Sequence, residues 1–194
     1  MTAATVAPGR ARFWKTALLL GAVHFLVMTF GLVVEAYSGG CMFVIPAYFM
    51  VLPVAISILL LRRVGAGAAV FLPYAVLGFP PTYYFEWQQS HALWGVWGVF
   101  AWCLIGPLVG LAGDLAYRFL PRSLPERWRA VATGAVLGAA IYLTTYLALA
   151  ALYRRPELNT HFRFFTEGAW FSVPWLVVNG GFAGYTGYAL TRRV

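Results

Sequence analysis

The chain has 194 residues, of which 61% are hydrophobic and 10% are charged, and its mean hydropathy is +0.74. A soluble domain carries about 25% charged residues, so this chain has too few polar side chains to cover a water-exposed surface, and its solvent must be lipid. The composition excludes a disulfide-stapled secreted scaffold, a disordered tail and a nucleic-acid-binding module. The net charge of +8 alone does not identify a partner, because its meaning depends on where the charged residues lie along the chain.

Six apolar runs are long enough to cross a bilayer as helices, which takes about 20 residues. They predict an all-α, polytopic membrane helix bundle that forms one domain over residues 13–194, after an N-terminal tail of residues 1–12. The count falls to five if the third run enters the membrane without crossing it. The predicted spans are residues 13–35, 41–61, 65–85, 92–120, 128–153 and 165–190.

The basic residues indicate the orientation of these spans. With six spans, 11 of the 14 Arg and Lys residues fall on the side that also holds both termini. Cytoplasmic connections retain positive charge, so both termini are predicted to be cytoplasmic, in a multi-pass protein of the cell membrane. We interpret the charge as a topology signal reinforced by anionic membrane lipids, with no nucleic-acid partner. Four of the six acidic residues fall at or near the outer ends of the spans: Glu35, Glu86, Glu157 and Glu167.

The first run carries an ionisable residue in its middle. His24, Met28 and Glu35 lie on one stripe of the predicted helix, and an ionisable group inside a span usually faces the bundle interior. His24 is therefore a functional candidate, and the alternative is a neutral histidine hydrogen-bonded to a neighbouring helix. The three histidines lack a metal-binding spacing, so we expect no metal site. No motif indicates a cofactor or a phosphate-binding loop.

The third run contains helix breakers. Pro73 and the pair Pro80-Pro81 predict a kink or break before residues 82–91. Broken helices at membrane depth are tolerated where they line a cavity, so this aromatic and polar segment is predicted to form a pocket wall or lid. The alternative is an aromatic belt at the membrane interface. The candidate residues in this segment are Glu86, Trp87 and His91.

The fourth and sixth runs add polar candidates. Asp114 and Arg118 have the i, i+4 order of a helical ion pair, which predicts a structural role. Trp175 and Asn179 have the same spacing and are predicted to face one cavity, although Asn179 is also suited to hydrogen bonding between helices. Small residues four apart predict close helix contacts at positions 17/21, 106/110, 134/138, 180/184 and 183/187.

The chain resembles the substrate-binding S component of energy-coupling factor (ECF) transporters. The shared features are about 190 residues, six spans, cytoplasmic termini, no nucleotide motif, and the small pair Ala17 and Gly21 on the first helix. The family has alanine at both positions of that docking motif, and here the second is Gly21. The resemblance covers the whole chain and is architectural. It implies uptake of a vitamin-like or ring-containing solute through an outward-facing pocket, with a transmembrane coupling subunit and cytoplasmic ATPases as partners. Under this hypothesis the ligand-binding residues are Glu86, Trp87, His91, Glu167, Trp170, Trp175 and Asn179.

Two other functions remain open. The chain would be an integral membrane enzyme acting on a lipid or isoprenoid if Glu86 or Glu167, in an apolar pocket, protonated an alkene or epoxide. Glu35 or His24 would then accept a proton. Alternatively, the chain would be an accessory subunit of a membrane complex. Uptake, which the resemblance implies, is the preferred interpretation, and under it no residue is catalytic.

Overall fold

The computed structural model describes residues 9–38, 46–78, 80, 95–152, 163 and 166–193. Within these residues the regular structure is entirely helical, which confirms the all-α fold class. The helices that carry the fold are α1 (Arg10–Ser38), α2 (Pro46–Leu61), α3 (Ala66–Val70), α4 (Leu72–Leu77), α5 (Gly95–Phe119), α6 (Glu126–Leu152) and α7 (Ala169–Thr191).

Two helical stretches of the described chain, Arg10–Gly31 and Glu126–Ala148, are long and apolar enough to cross a membrane. A shorter apolar stretch, Ala47–Leu61, lies in α2. Large apolar side chains also point away from the protein interior on several helices, as expected where lipid replaces water as the solvent. These properties favour membrane association. Examples with more than half of the side chain exposed are Leu19, Leu26, Phe30, Leu108, Phe119, Leu143 and Phe182.

Helices α6 and α7 approach each other most closely, and they do so through glycines. A Cβ atom placed on Gly134 would collide with the carbonyl oxygen of Gly180, and one placed on Gly138 would collide with the carbonyl of Leu176. Contacts of this kind need small residues on both helices, and they hold helices together where no hydrophobic driving force acts between them. The predicted close contacts at 134/138 and 180/184 are thus confirmed.

Around this pair, α2 packs against α7 and α1, and α5 packs against α6 and α3. The side chains of Ile58, Leu137 and Leu176 are fully buried where these helices meet. Helix α1 is held mainly by α2, α3 and α4. The bundle therefore has one main core, with α1, α3 and α4 on one side of it.

The small pair on α1 is used inside the chain. Ala17 is fully buried with Ala66 and Ala69 of α3, and Gly21 faces α4. A Cβ atom on Gly21 would lie 2.7 Å from Cγ of Pro73. The predicted close helix contact at 17/21 is therefore confirmed, and it lies within the chain.

The described part of the third apolar run, residues 65–78 and 80, contains two short helices, α3 and α4. Helix α3 ends at Val70 and is followed by Phe71, whose N–H donates to the carbonyl oxygen of Ala68 at 3.1 Å. Pro73, in the first turn of α4, has no N–H to continue the helical pattern. The break at Phe71 thus falls inside the run, earlier than the segment 82–91.

Candidate functional site

Several predicted site residues lie outside the described part of the chain. These are Glu86, Trp87 and His91, together with the side chain of Glu35. Their roles stay predictions.

The predicted residues near the start of α7 are placed at the surface. Trp170 is 80% exposed. Glu167 is exposed and accepts two hydrogen bonds from the Arg163 guanidinium, at 3.1 Å and 3.2 Å. This guanidinium lowers the pKa of the Glu167 carboxyl, first through the hydrogen bonds and then through its charge. Glu167 is therefore a surface partner of Arg163 in this structure.

Trp175 and Asn179 share one face of α7, as their spacing predicts. Trp175 is half-buried and stacks on Phe171, with ring centroids 5.6 Å apart. The side-chain amide of Asn179 donates to the carbonyl oxygen of Trp175 at 2.9 Å. This hydrogen bond lies within one helix, so it satisfies one donor of the amide without bridging to a neighbouring helix.

His24 lies at the break between α3 and α4. Its side chain is fully buried, and its ring makes edge contacts with Phe71 and Tyr74 at centroid distances of 4.5 Å and 6.4 Å. Neither ring nitrogen forms a hydrogen bond, and the backbone of Met50 on α2 is a polar group that the ring faces. Burying a polar group without a hydrogen bond is costly, so this histidine needs an explanation beyond packing.

The predicted ion pair between Asp114 and Arg118 is wrong. The Asp114 carboxylate accepts backbone N–H bonds from Gly65 and Gly67 at 2.9 Å, with a longer contact to Ala68 at 3.5 Å. Gly65 precedes α3, has φ of 93° and carries no side chain that could cap the helix. The carboxylate from α5 therefore satisfies N–H groups that would otherwise be unpaired at the start of α3.

Close backbone contact brings Asp114 to this position. A Cβ atom on Gly67 would lie 2.6 Å from the carbonyl oxygen of Gly110, one turn before Asp114 on α5. Only glycine allows α3 and α5 to approach this closely. The contact at Gly110 thus sets the distance at which the carboxylate reaches the start of α3.

A cavity of about 390 Å³ lies beside Asp114, where α2, α5 and the start of α6 meet, and five arginines line it. We call it the arginine pocket. Its lining residues are Ile58, Arg62, Arg63, Val64, Asp114, Tyr117, Arg118, Arg122 and Arg129.

Two of these arginines are held by neighbouring groups. Arg62 pairs with Glu126, which also accepts from the Tyr117 hydroxyl at 3.3 Å. Arg129 donates to the carbonyl oxygen of Tyr117 at 2.8 Å, and its guanidinium lies 4.3 Å from the centre of the Tyr117 ring. This combination of a hydrogen bond and a cation–π contact fixes the Arg129 side chain.

The arginine pocket is not evident from the sequence, where the same charges are explained by membrane topology alone. The signal available was the presence of Arg62-Arg63 and of Arg118, Arg122 and Arg129 on one predicted side of the membrane.

Comparisons of the chain with protein-family models, with curated proteins and with solved structures give no match.

Proposed function

We propose that the chain is a six-span protein of the cell membrane with cytoplasmic termini, and that it is a substrate-binding subunit for uptake of a small ring-containing solute. The two stretches with the length and apolarity of spans, Arg10–Gly31 and Glu126–Ala148, and the exposed apolar side chains support the membrane part of the proposal. The charge distribution along the sequence supports the orientation.

The observation that carries the binding role is the position of His24. An ionisable side chain inside a membrane bundle is costly and marks a functional site by default. Here it lies beside a helix break, and irregular backbone at membrane depth is tolerated where it is buried or lines a cavity. A solute that hydrogen-bonds to the imidazole would supply the partner that the ring lacks. The aromatic rings of Phe71 and Tyr74 beside it suit a flat solute.

Among the described side chains, the buried acidic residue does not supply a proton donor for acid–base catalysis. Asp114 is that residue, and its carboxylate oxygens accept backbone N–H groups of the α3 start. A proton donor for a lipid or isoprenoid substrate would need a carboxyl group free to reach the substrate. The coupling subunit and ATPases implied by the resemblance remain part of the proposal, and such a subunit would dock away from the buried pair Ala17 and Gly21.

Native mass spectrometry of the gently extracted protein from its own host tests the binding role. We expect the wild type to retain a small ring compound and the His24→Leu variant to lose it. Thr133→Val is the matched control, because Thr133 is also buried with an unbonded polar atom but lies on α6. Retention of the compound by His24→Leu, or recovery of the wild type with lipid alone, would contradict the proposal.

Reporter fusions test the six-span topology separately. A fluorescent protein fused to the C-terminus should fluoresce, because that terminus is expected to face the cytoplasm. Alkaline phosphatase inserted at residue 40 or at residue 159 should be active, because both positions are expected to lie outside. An inactive phosphatase at residue 159 would mean that the protein has fewer spans than six or that the spans have the opposite orientation.

A further inference from the structure

We propose that the arginine pocket is a binding site for a phosphate-bearing anion, at the end of the bundle opposite the predicted outward-facing site. The site does not depend on the solute-binding role of His24. Four observations on the lining residues support it, and they concern charge, a buried donor, backbone strain and size.

The first observation is an excess of positive charge. Five arginines face two nearby carboxylates, Asp114 and Glu126, which leaves an excess of three positive charges. Glu126 is paired with Arg62, and the oxygens of Asp114 are occupied by backbone N–H groups. The other four arginines have no acidic partner among the described residues, and their like charges around one cavity favour binding of an anion. These arginines are Arg63, Arg118, Arg122 and Arg129.

The second observation is a buried donor without an acceptor. Arg129 is fixed against Tyr117 by the hydrogen bond and the ring contact described above, so its position in the lining does not depend on a ligand. Its Nε–H is nevertheless buried and makes no hydrogen bond. Leaving such a donor unpaired is unfavourable, and a ligand oxygen in the pocket is a partner of the right kind.

The third observation is local backbone strain at Arg62. This residue directly follows α2 and has φ of 48°, in the left-handed region that glycine usually occupies just after a helix ends. Arg62 is the non-glycine residue with positive φ in the described chain. Strained residues of this kind concentrate at ligand-binding sites, where the surrounding structure holds them in place. Here the strained residue is the one that pairs with Glu126 at the pocket.

The fourth observation concerns size and chemistry. A cavity of about 390 Å³ falls within the range of about 300–1,000 Å³ that is typical of small-ligand sites. The guanidinium group presents donors in a planar fork that matches two oxygens of a phosphate. Exposed aromatic side chains, Phe119 and Trp128, adjoin Arg118 and Arg129 in the sequence and are of the type found at the membrane interface. The phosphate therefore comes either from an anionic lipid headgroup or from a soluble anion.

The test uses the full chain in nanodiscs. Phosphatidylglycerol is the lipid probe, phosphatidylcholine is the zwitterionic control lipid, and inorganic phosphate is the soluble probe, with bound lipid and anion measured by native mass spectrometry. We expect preferential retention of phosphatidylglycerol or binding of inorganic phosphate, and the probe that binds identifies the source. Absence of both, or equal retention of the two lipids without phosphate binding, would overturn the proposal.

A charge-matched pair of variants separates the pocket from net charge. We expect the double variant Arg118→Gln/Arg122→Gln to weaken binding at least about tenfold, since it removes two charge-assisted donors. Arg10→Gln/Arg12→Gln removes the same charge from exposed positions of α1 and should bind as the wild type does. Equal loss in both variants would overturn the proposal, because it would mean that only the overall charge matters.

A measurement on the wild type does not depend on how the variants fold. Phenylglyoxal modifies accessible arginines, and peptide mass spectrometry locates the modified side chains. The bound anion should protect Arg118 and Arg122 from modification and leave Arg10 and Arg12 reactive. Identical modification with and without the bound probe would refute the site.

Discussion

Replacement of Asp114 by alanine tests whether a carboxylate from α5 holds the start of α3. In the structure the carboxylate accepts N–H bonds from Gly65 and Gly67, both at 2.9 Å. Gly65 has no side chain to cap the helix, so alanine at position 114 would leave these donors without a protein acceptor. Asparagine would keep one oxygen acceptor and lose the negative charge.

The magnitude follows from these two hydrogen bonds. A hydrogen bond to a charged group contributes about 1.5–3 kcal/mol, and the 3.5 Å contact to Ala68 adds little. Gly65 is half-buried, so water can replace one bond, whereas Gly67 is buried. We therefore expect Asp114→Ala to lower the free energy of unfolding by about 2–4 kcal/mol, and Asp114→Asn by about half as much. For a chain of this size, that is a drop in Tm of roughly 5–15 °C for the alanine variant.

Thermal unfolding in detergent, followed by circular dichroism, measures the effect. Arg118→Gln is the decisive comparison, because the sequence alone pairs Asp114 with Arg118. If the cap is what matters, Arg118→Gln should leave Tm nearly unchanged while Asp114→Ala lowers it. An unchanged Tm for Asp114→Ala, or equal losses in the two variants, would refute the capping role.

Three further predictions concern packing and a surface ion pair. Gly134→Ala should lower Tm, because its Cβ would collide with backbone of α7, whereas Gly181→Ala should leave Tm unchanged, since its Cβ would lie 3.5 Å from the nearest atom. Gly106→Ala should also lower Tm in the same assay, because its Cβ would overlap a phenyl ring at the α3–α4 break. Arg163→Gln should leave Tm unchanged and raise the pKa of Glu167 in an NMR titration, because the guanidinium lowers that pKa and the exposed pair is screened by salt. The small contribution of this ion pair to stability is present at neutral pH and is lost as the pH falls through the lowered pKa of Glu167. An unchanged Glu167 pKa in the Arg163→Gln variant would contradict the prediction.

The parts of the fold that the sequence predicts are those set by spacing along one helix. Apolar composition predicts helices in lipid, and residues four apart predict which faces approach. Gly134 and Gly138 therefore indicate a close helix contact, and the structure shows that its partner is α7. The i, i+4 rule likewise placed Trp175 and Asn179 on one face of α7.

The parts that the sequence does not predict depend on helices distant along the chain. The i, i+4 rule considers only partners on the same helix, so it assigned Asp114 to Arg118. The actual partners, Gly65 and Gly67, are 47 or more residues away and are brought near by the contact between Gly67 and Gly110. Similarly, Pro73 indicated a break, but the buried position of His24 beside it follows from the packing of α1 on α4.

The same packing brings basic residues from different helices together, which gives them a possible role beyond membrane topology. On the side predicted to face the cytoplasm, the sequence holds 11 basic residues and two acids, Asp114 and Glu126. In the fold both acids already have partners: one caps α3, and the other pairs with Arg62. Neither is paired with Arg63 or Arg118, so an anion bound in the arginine pocket would meet positive charge that no acidic residue of the described chain balances. A topology signal read from the sequence thus becomes, once the helix ends meet, a reason to expect a bound anion.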